Sequence, residues 1–138
     1  MVVGDRLLAA NVGDSRIYLL RGRGLEQISR DHSLVGSLVE AGQITRAQVY
    51  DHPNRNLIYR SLGAGDEAEP EMRSVQLGAG ETVLLCSDGL WEMVRDDEIA
   101  AVLAQEPLPQ GAAVRLVELA NAHGGADNIA AVVLRANG

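Results

Sequence analysis

The most informative stretch of the chain is TVLLCSDGLW, residues 82–91. Its first half is a short, largely apolar run, which is typical of a strand buried on both faces. The run passes directly into Ser87-Asp88-Gly89, so the Asp88 carboxylate is predicted to lie at the rim of a buried strand. Because burial of a bare carboxylate is costly, we expect Asp88 to be hydrogen-bonded, paired with a cation or bound to a metal ion.

Two other aspartates share this setting, beside a glycine or a tight turn at the end of an apolar strand. Asp14 lies in VGDSR and Asp127 lies in GGADNIAAVVL. A hydrogen bond that stabilises the turn is the simplest interpretation of any one of them. Carboxylate oxygens are also the ligands that Mg²⁺ and Mn²⁺ favour, and a water held between two such ions is a nucleophile suited to phosphoester hydrolysis. The residues alone leave these outcomes open.

The segments on both sides of Asp14 are predicted to be strands. Residues 7–10 and 16–20 are short apolar runs separated by the turn sequence Asn-Val-Gly-Asp, so we predict that they form a hairpin. Residues 25–29 follow a glycine-rich turn and are a plausible third strand of the same group.

The hydrophobic period becomes helical over residues 33–50, and residues 51–56, with His-Pro-Asn, are predicted to form a loop. Ser33 can cap a first helix and Gly42 can end it, while Thr45 and Gln48 have the capping-box spacing that starts a second helix. Four acids in the segment that follows predict a solvated connector: Asp66, Glu67, Glu69 and Glu71.

In the second half of the chain, strands and helices again occupy separate stretches of sequence. Residues 72–77 alternate between apolar and polar, as in a half-buried strand, and residues 129–134 form a last apolar strand. Between them, Asp96 can cap a helix that Pro107 ends, and the longest helix runs through residues 113–120. Strands and helices that are segregated along the chain predict an α+β fold rather than a parallel βαβ arrangement.

Length, composition and charge limit the classes of protein to which this chain can belong. The 138 residues allow one domain, and 46% hydrophobic with 22% charged residues is typical of a soluble globular core. A net charge of −7 without a basic cluster excludes nucleic acid as an expected partner. No run resembles a membrane span or a signal peptide, so we expect a cytoplasmic protein. The single cysteine, Cys86, excludes an intramolecular disulfide and a cysteine-based zinc site.

Other reactive side chains have structural interpretations. Cys86 lies within an apolar strand and is predicted to be a core residue, and Trp91 is predicted to anchor the helix after Asp88. Ser87 is not in a GxSxG nucleophile elbow. His32 could be a catalytic acid, but a structural hydrogen bond or a role at the start of the helix is the favoured interpretation.

Five motifs in register resemble the metal-dependent protein phosphatases, the PPM or protein phosphatase 2C family, in their bacterial form. They are ANVGDSRIYLLR, ISRDHSLV, NLIYRSLG, LLCSDGLWEMV followed by DDEI, and GGADNIAAVVL. The resemblance implies a sandwich of two antiparallel β-sheets flanked by helices, an α-β-β-α arrangement. It also implies hydrolysis of phosphoserine and phosphothreonine in proteins by a metal-bridging water, in opposition to a serine/threonine kinase.

The resemblance also implies a set of ligands for Mg²⁺ or Mn²⁺, with two to three ions in the complete domain. By motif, Asp88 is the ligand shared between metals, Asp127 holds the metal on the other side, and Asp14 helps to hold a third, weaker metal. Residues 34–56 correspond to the flap segment of the bacterial members, which shapes substrate access. Asp31 and His32 belong to a family signature without an assigned chemistry.

The resemblance covers nearly all of this chain but only about the C-terminal half of the family domain. We therefore expect residues 1–138 to be a single partial phosphatase domain, inactive or nearly so alone, because the other metal ligands lie in the family's earlier segment. One alternative is a noncatalytic module of the same fold that binds a phosphoprotein or another partner. A further alternative is a fragment with no independent role.

Overall fold

A computed structural model describes residues 1–63 and 68–137, so Asp66 and Glu67 of the predicted connector lie outside the described residues. The strands are β1 (Val2–Val3), β2 (Arg6–Asn11), β3 (Arg16–Arg21), β4 (Gly24–Gln27), β5 (Glu71–Gln76), β6 (Thr82–Cys86) and β7 (Ala131–Arg135). The helices are α1 (Leu34–Glu40), α2 (Arg46–Val49), α3 (Asp88–Trp91), α4 (Asp96–Gln105) and α5 (Pro109–Ala122).

The strands form two antiparallel sheets, with the orders β1-β2-β5 and β4-β3-β6-β7. The predicted hairpin of β2 with β3 is wrong, because these strands belong to different sheets. Both edges of β3 are already paired, with β4 and with β6. The turn that contains Asp14 therefore carries the chain from one sheet to the other. The burial patterns agree, since five of the six residues of β3 are buried whereas β2 alternates.

Alternating side chains of the four-stranded sheet build two cores. One lies between the sheets, and its buried members are Leu7, Ala9, Ile17, Leu19, Leu77 and Val83. The other packs the opposite face of β3 and β6 against the helices, and its largest members include Tyr18, Leu84, Trp91, Ile99, Leu103 and Leu116. The described residues thus supply both sheets and a helical layer, which confirms the predicted α+β fold and its antiparallel sheets.

The inner face of the four-stranded sheet is wider than the three-stranded sheet that covers it. Leu85 of β6 is 36% exposed, and Val132 and Leu134 of β7 are 55% and 40% exposed. The prediction that residues 82–86 are buried on both faces is therefore wrong at Leu85 and right for the other residues of β6.

The helical ends follow the predicted signals with one shift. The Ser33 side chain accepts from the Gly36 amide, and Thr45 and Gln48 form both bonds of the capping box. Helix α4, however, has Arg95 as its N-cap, so the predicted cap Asp96 is its first helical residue. In the part of the chain that the structure describes, no helix is long and apolar enough to cross a membrane.

Candidate metal centre

Asp14 lies in the turn between the two sheets. Gly13, just before it, has φ +105°, a conformation that favours glycine. The Asp14 carbonyl oxygen accepts a hydrogen bond of 2.9 Å from Trp91 Nε1, which ties this turn to α3. Burial, and next the charge of Asp88, raise the pKa of the Asp14 carboxyl to about 6. These two aspartates, 74 residues apart in the sequence, therefore share one site.

Asp88 begins α3 directly after the buried strand β6. Its Oδ1 accepts from the Gly89 amide at 2.9 Å. Among the described residues, no protein hydrogen bond to its other oxygen is present, which leaves that oxygen available to a ligand. The short strand-to-helix connection thus presents the carboxylate at the rim of the sheet, as the sequence predicted.

Asp127 reaches the same rim from the loop before β7. Ser87 Oγ donates to the Asn128 carbonyl at 3.1 Å and accepts from the Ala130 amide at 3.0 Å, so it fastens this loop to the turn before α3. A methyl group on Gly89 would lie 2.4 Å from the Asn128 carbonyl oxygen and 3.3 Å from the Asp127 Cβ. Only glycine lets the two segments approach this closely.

Glu92 is a fourth carboxylate at this rim that the sequence analysis did not single out. Burial raises its pKa, the Arg55 charge opposes this shift, and the charges of Asp88 and Asp127 add to it. The sequence did contain a signal for Glu92. It follows Asp88 by four residues, and residues four apart lie on the same face of a helix.

The donor set fits a hydrated divalent cation. Residues 1–63 and 68–137 contain no three His, Cys, Asp or Glu side chains close enough to hold a metal ion as one group. The cluster is nevertheless made of carboxylates alone, the hard oxygen donors that Mg²⁺ and Mn²⁺ prefer, and Mg²⁺ keeps several waters. A cation would also offset the repulsion that adds to burial in raising the pKa of Asp14 and of Glu92.

The other candidate residues have structural surroundings. Cys86 is buried, and burial raises the pKa of its thiol to about 12, so it stays protonated in the core. Trp91 is 1% exposed, which confirms its predicted anchoring role. His32 Nδ1 accepts from the Gly13 amide at 3.1 Å, so the favoured structural hydrogen bond is present.

Comparisons with known proteins agree with this arrangement. Residues 38–137 match the sequence profile of the family described as Stage II sporulation protein E, and residues 1–50 match that of Protein phosphatase 2C. The protein phosphatase PhpP of Streptococcus pneumoniae is 38% identical over 136 residues, which are 99% of this chain and 55% of PhpP.

Solved structures give the same result in three dimensions. The serine/threonine phosphatase Stp1 from Staphylococcus aureus has a TM-score of 0.93 at 36% identity, with 99% of this chain and 54% of Stp1 covered. The catalytic domain of the serine/threonine phosphatase PstP, in complex with two manganese ions, has a TM-score of 0.84 at 41% identity, with 96% of this chain and 54% of that domain covered. The chain thus spans about half the length of these relatives. It belongs to the bacterial PPM-type, protein phosphatase 2C-like family.

Proposed function

We propose that this chain forms part of a metal-dependent phosphatase domain that hydrolyses phosphoserine and phosphothreonine in proteins. The observation that carries the proposal is the meeting of Asp14 and Asp88 at one rim, where burial and mutual charge raise the pKa of Asp14 to about 6. Acids whose pKa values are shifted by burial together with a neighbouring charge cluster at functional sites. The serine/threonine phosphatases among its relatives support the same activity.

We assign the ligand roles from the resemblance to the family's motifs. Asp88 would be the ligand shared between metal ions, Asp127 would hold the metal on the other side, and Asp14 would help to hold a third, more weakly bound ion. Glu92 adds negative charge to the same rim. When bound, Mg²⁺ or Mn²⁺ supplies a polarised water as the nucleophile and neutralises charge on the phosphoryl oxygens.

The chain's own residues orient this site and shape access to it. Trp91 restrains the backbone of Asp14 through its bond to the carbonyl oxygen, and Ser87 holds the Asp127 loop beside α3. Residues 34–56 act as the flap over the approach of the phosphoprotein, and their contact with the site is the approach of Arg55 Nε to within 4.0 Å of Glu92 Oε2. A kinase that phosphorylates the same protein is the expected opposing enzyme.

These carboxylates are few for a two-metal site, and we propose that the 138-residue chain turns over slowly by itself. The absence of a three-ligand group in residues 1–63 and 68–137 also favours a second candidate, a noncatalytic module that binds phosphoproteins. The two differ in one respect, because binding by the module would survive both chelation and Asp88→Asn.

The deciding experiment measures p-nitrophenyl phosphate hydrolysis and Mn²⁺ binding by the purified chain, with chelator as a blank. Asp88→Asn is the test variant, and Asp97→Asn, at an exposed aspartate of α4, is the control for the lost charge. We expect Mn²⁺ binding and any turnover to be lost in Asp88→Asn and kept in Asp97→Asn. Mn²⁺ binding that is unchanged by Asp88→Asn would contradict the assigned site.

A further inference from the structure

We propose that His32 is a positioning residue for this site: through its hydrogen bond to the Gly13 amide, it fixes the turn that presents Asp14. The inference rests on the proposed function for its consequence in metal binding, while its geometry stands on contacts of the described residues alone. It gives a role to the RDHS segment, residues 30–33, to which the sequence analysis assigned no chemistry.

His32 bonds both backbone polar groups of Gly13, its amide and its carbonyl. Its Nδ1 accepts from the Gly13 amide at 3.1 Å, and its own backbone amide donates to the Gly13 carbonyl at 2.9 Å. The imidazole is 3% exposed, so water competes poorly for these bonds. His32 is itself held, because its carbonyl accepts from the Tyr59 amide at 3.0 Å.

Gly13 needs such restraint. At φ +105° it adopts a conformation that glycine enters and leaves with little steric penalty, so its own backbone defines the turn only weakly. External hydrogen bonds must therefore set the direction in which Asp14, the next residue, leaves the turn. The Trp91 bond to the Asp14 carbonyl provides one restraint, a 3.4 Å bond from Asn11 Nδ2 to the Gly13 carbonyl provides another, and His32 adds two more.

The imidazole has one tautomer that fits. Because Nδ1 accepts, the proton of the neutral ring must lie on Nε2. That nitrogen faces Glu71 Oε2 at 3.9 Å, the buried side-chain oxygen that has no hydrogen-bond partner among the described residues. The negative charge of Glu71 on this side of the ring favours the tautomer with the proton on Nε2.

The neighbouring Asp31 supports the same turn by another route. It accepts from Arg16 Nε at 3.1 Å and from Arg16 Nη2 at 2.7 Å. The Arg16 guanidinium lies over the Trp91 ring, 3.5 Å from its centroid, and Trp91 is the donor to Asp14. Two consecutive residues are thus connected to this turn, His32 directly through Gly13 and Asp31 through Arg16 and Trp91.

The test compares two amide replacements of His32 in the 138-residue chain. His32→Asn keeps an acceptor at the position of Nδ1, whereas His32→Gln carries its polar atoms at the position of Nε2 and leaves the Gly13 amide without a partner. We expect the Gly13 amide to exchange with solvent about 10-fold faster in His32→Gln and near the wild-type rate in His32→Asn. We also expect Mn²⁺ affinity, measured by electron paramagnetic resonance, to fall about 10-fold in His32→Gln and to recover in His32→Asn.

A measurement on the wild-type chain covers the case in which a variant fails to fold. The ¹⁵N spectrum of His32 must show an unprotonated Nδ1 and a protonated Nε2, with a scalar coupling from Nδ1 to the Gly13 amide. A protonated Nδ1 overturns the proposal, and so does equal Gly13 exchange in wild type and His32→Gln.

The failure of the proposed function has a different signature. In that case Mn²⁺ binding is insensitive to Asp14→Asn and to Asp88→Asn, while the exchange and coupling data still decide the role of His32. If Mn²⁺ binding depends on Asp14 but is unchanged in His32→Gln, the metal site stands and the positioning role falls.

Discussion

Two groups of acids lie close together in this molecule and have opposite environments. Asp31 is 6% exposed and is paired in bidentate geometry with Arg16, which is 5% exposed. Asp14, Asp88, Glu92 and Asp127 instead lie along the rim, where burial and next the charge of Asp88 raise the pKa of Asp14, and where the charges of Asp88 and Asp127 add to the burial that raises the pKa of Glu92. The first group is paired within the protein, whereas in the second the pKa values of Asp14 and Glu92 stay raised even though Arg55 lies 4.0 Å from Glu92. Burial of an acid therefore does not by itself identify a functional site, and the more informative feature is a partly buried acid whose charged neighbours are other acids.

The largest expected effect on stability comes from a change in the pair of Asp31 and Arg16. Arg16→Met removes the counter-charge of Asp31 and the donor to Tyr18, so an uncompensated charge remains buried. We expect this change to lower the free energy of unfolding by about 3–5 kcal/mol, measured by urea denaturation. Arg23→Met, at an exposed arginine in the turn before β4, is the matched control. A loss below about 1 kcal/mol would mean that the pair is not the structural support described above.

The close approach of the Asp127 loop to α3 is tested by Gly89→Ala. The added methyl group would lie 2.4 Å from the Asn128 carbonyl oxygen, so the backbone must move. We expect about 2 kcal/mol of destabilisation in urea, together with weaker Mn²⁺ binding as Asp127 moves away from Asp88. Gly24→Ala is the control, since its methyl group meets only the Arg21 carbonyl oxygen, at 3.6 Å. Unchanged Mn²⁺ affinity in a destabilised Gly89→Ala would remove Asp127 from the site.

The contrast between the two groups also explains what the sequence could predict. The rim aspartates Asp14, Asp88 and Asp127 were identifiable because each follows or precedes an apolar strand beside a glycine or turn. The pairing of Asp31 with Arg16 was not, because it depends on the register of β3 within its sheet, and adjacency in sequence wrongly predicted that β3 pairs with β2. Local signals thus gave most strands and helices and the capping box at Thr45. They could not show which strands pair, or how His32 reaches Gly13.

The smallest expected effect is the pH dependence of the stability that Asp14 contributes, which distinguishes this rim acid from the paired Asp31. The pKa of Asp14 is raised from 3.8 to about 6, so between these values the folded chain binds more protons than the unfolded chain. Stability due to this group is therefore present below pH 4 and is lost as the pH rises through about 6. In chelator, Asp14→Asn should be more stable than wild type at pH 7 by about 1 kcal/mol, a value reduced for the partial exposure of the carboxyl.

In Mn²⁺ we expect the reverse order of stability, with wild type more stable than Asp14→Asn. A cation that binds only the folded wild-type chain adds to its stability, and Asp14→Asn gains less because it lacks a ligand. Urea or thermal unfolding at pH 4, 5, 6 and 7, with and without Mn²⁺, measures both effects, and Asp97→Asn controls for the loss of one charge. If the advantage of Asp14→Asn in chelator did not grow between pH 4 and 6, Asp14 would belong with Asp31 among the satisfied acids. A gain at neutral pH that Mn²⁺ abolishes would instead mark Asp14 as an acid kept at a cost in stability for the ion that it binds.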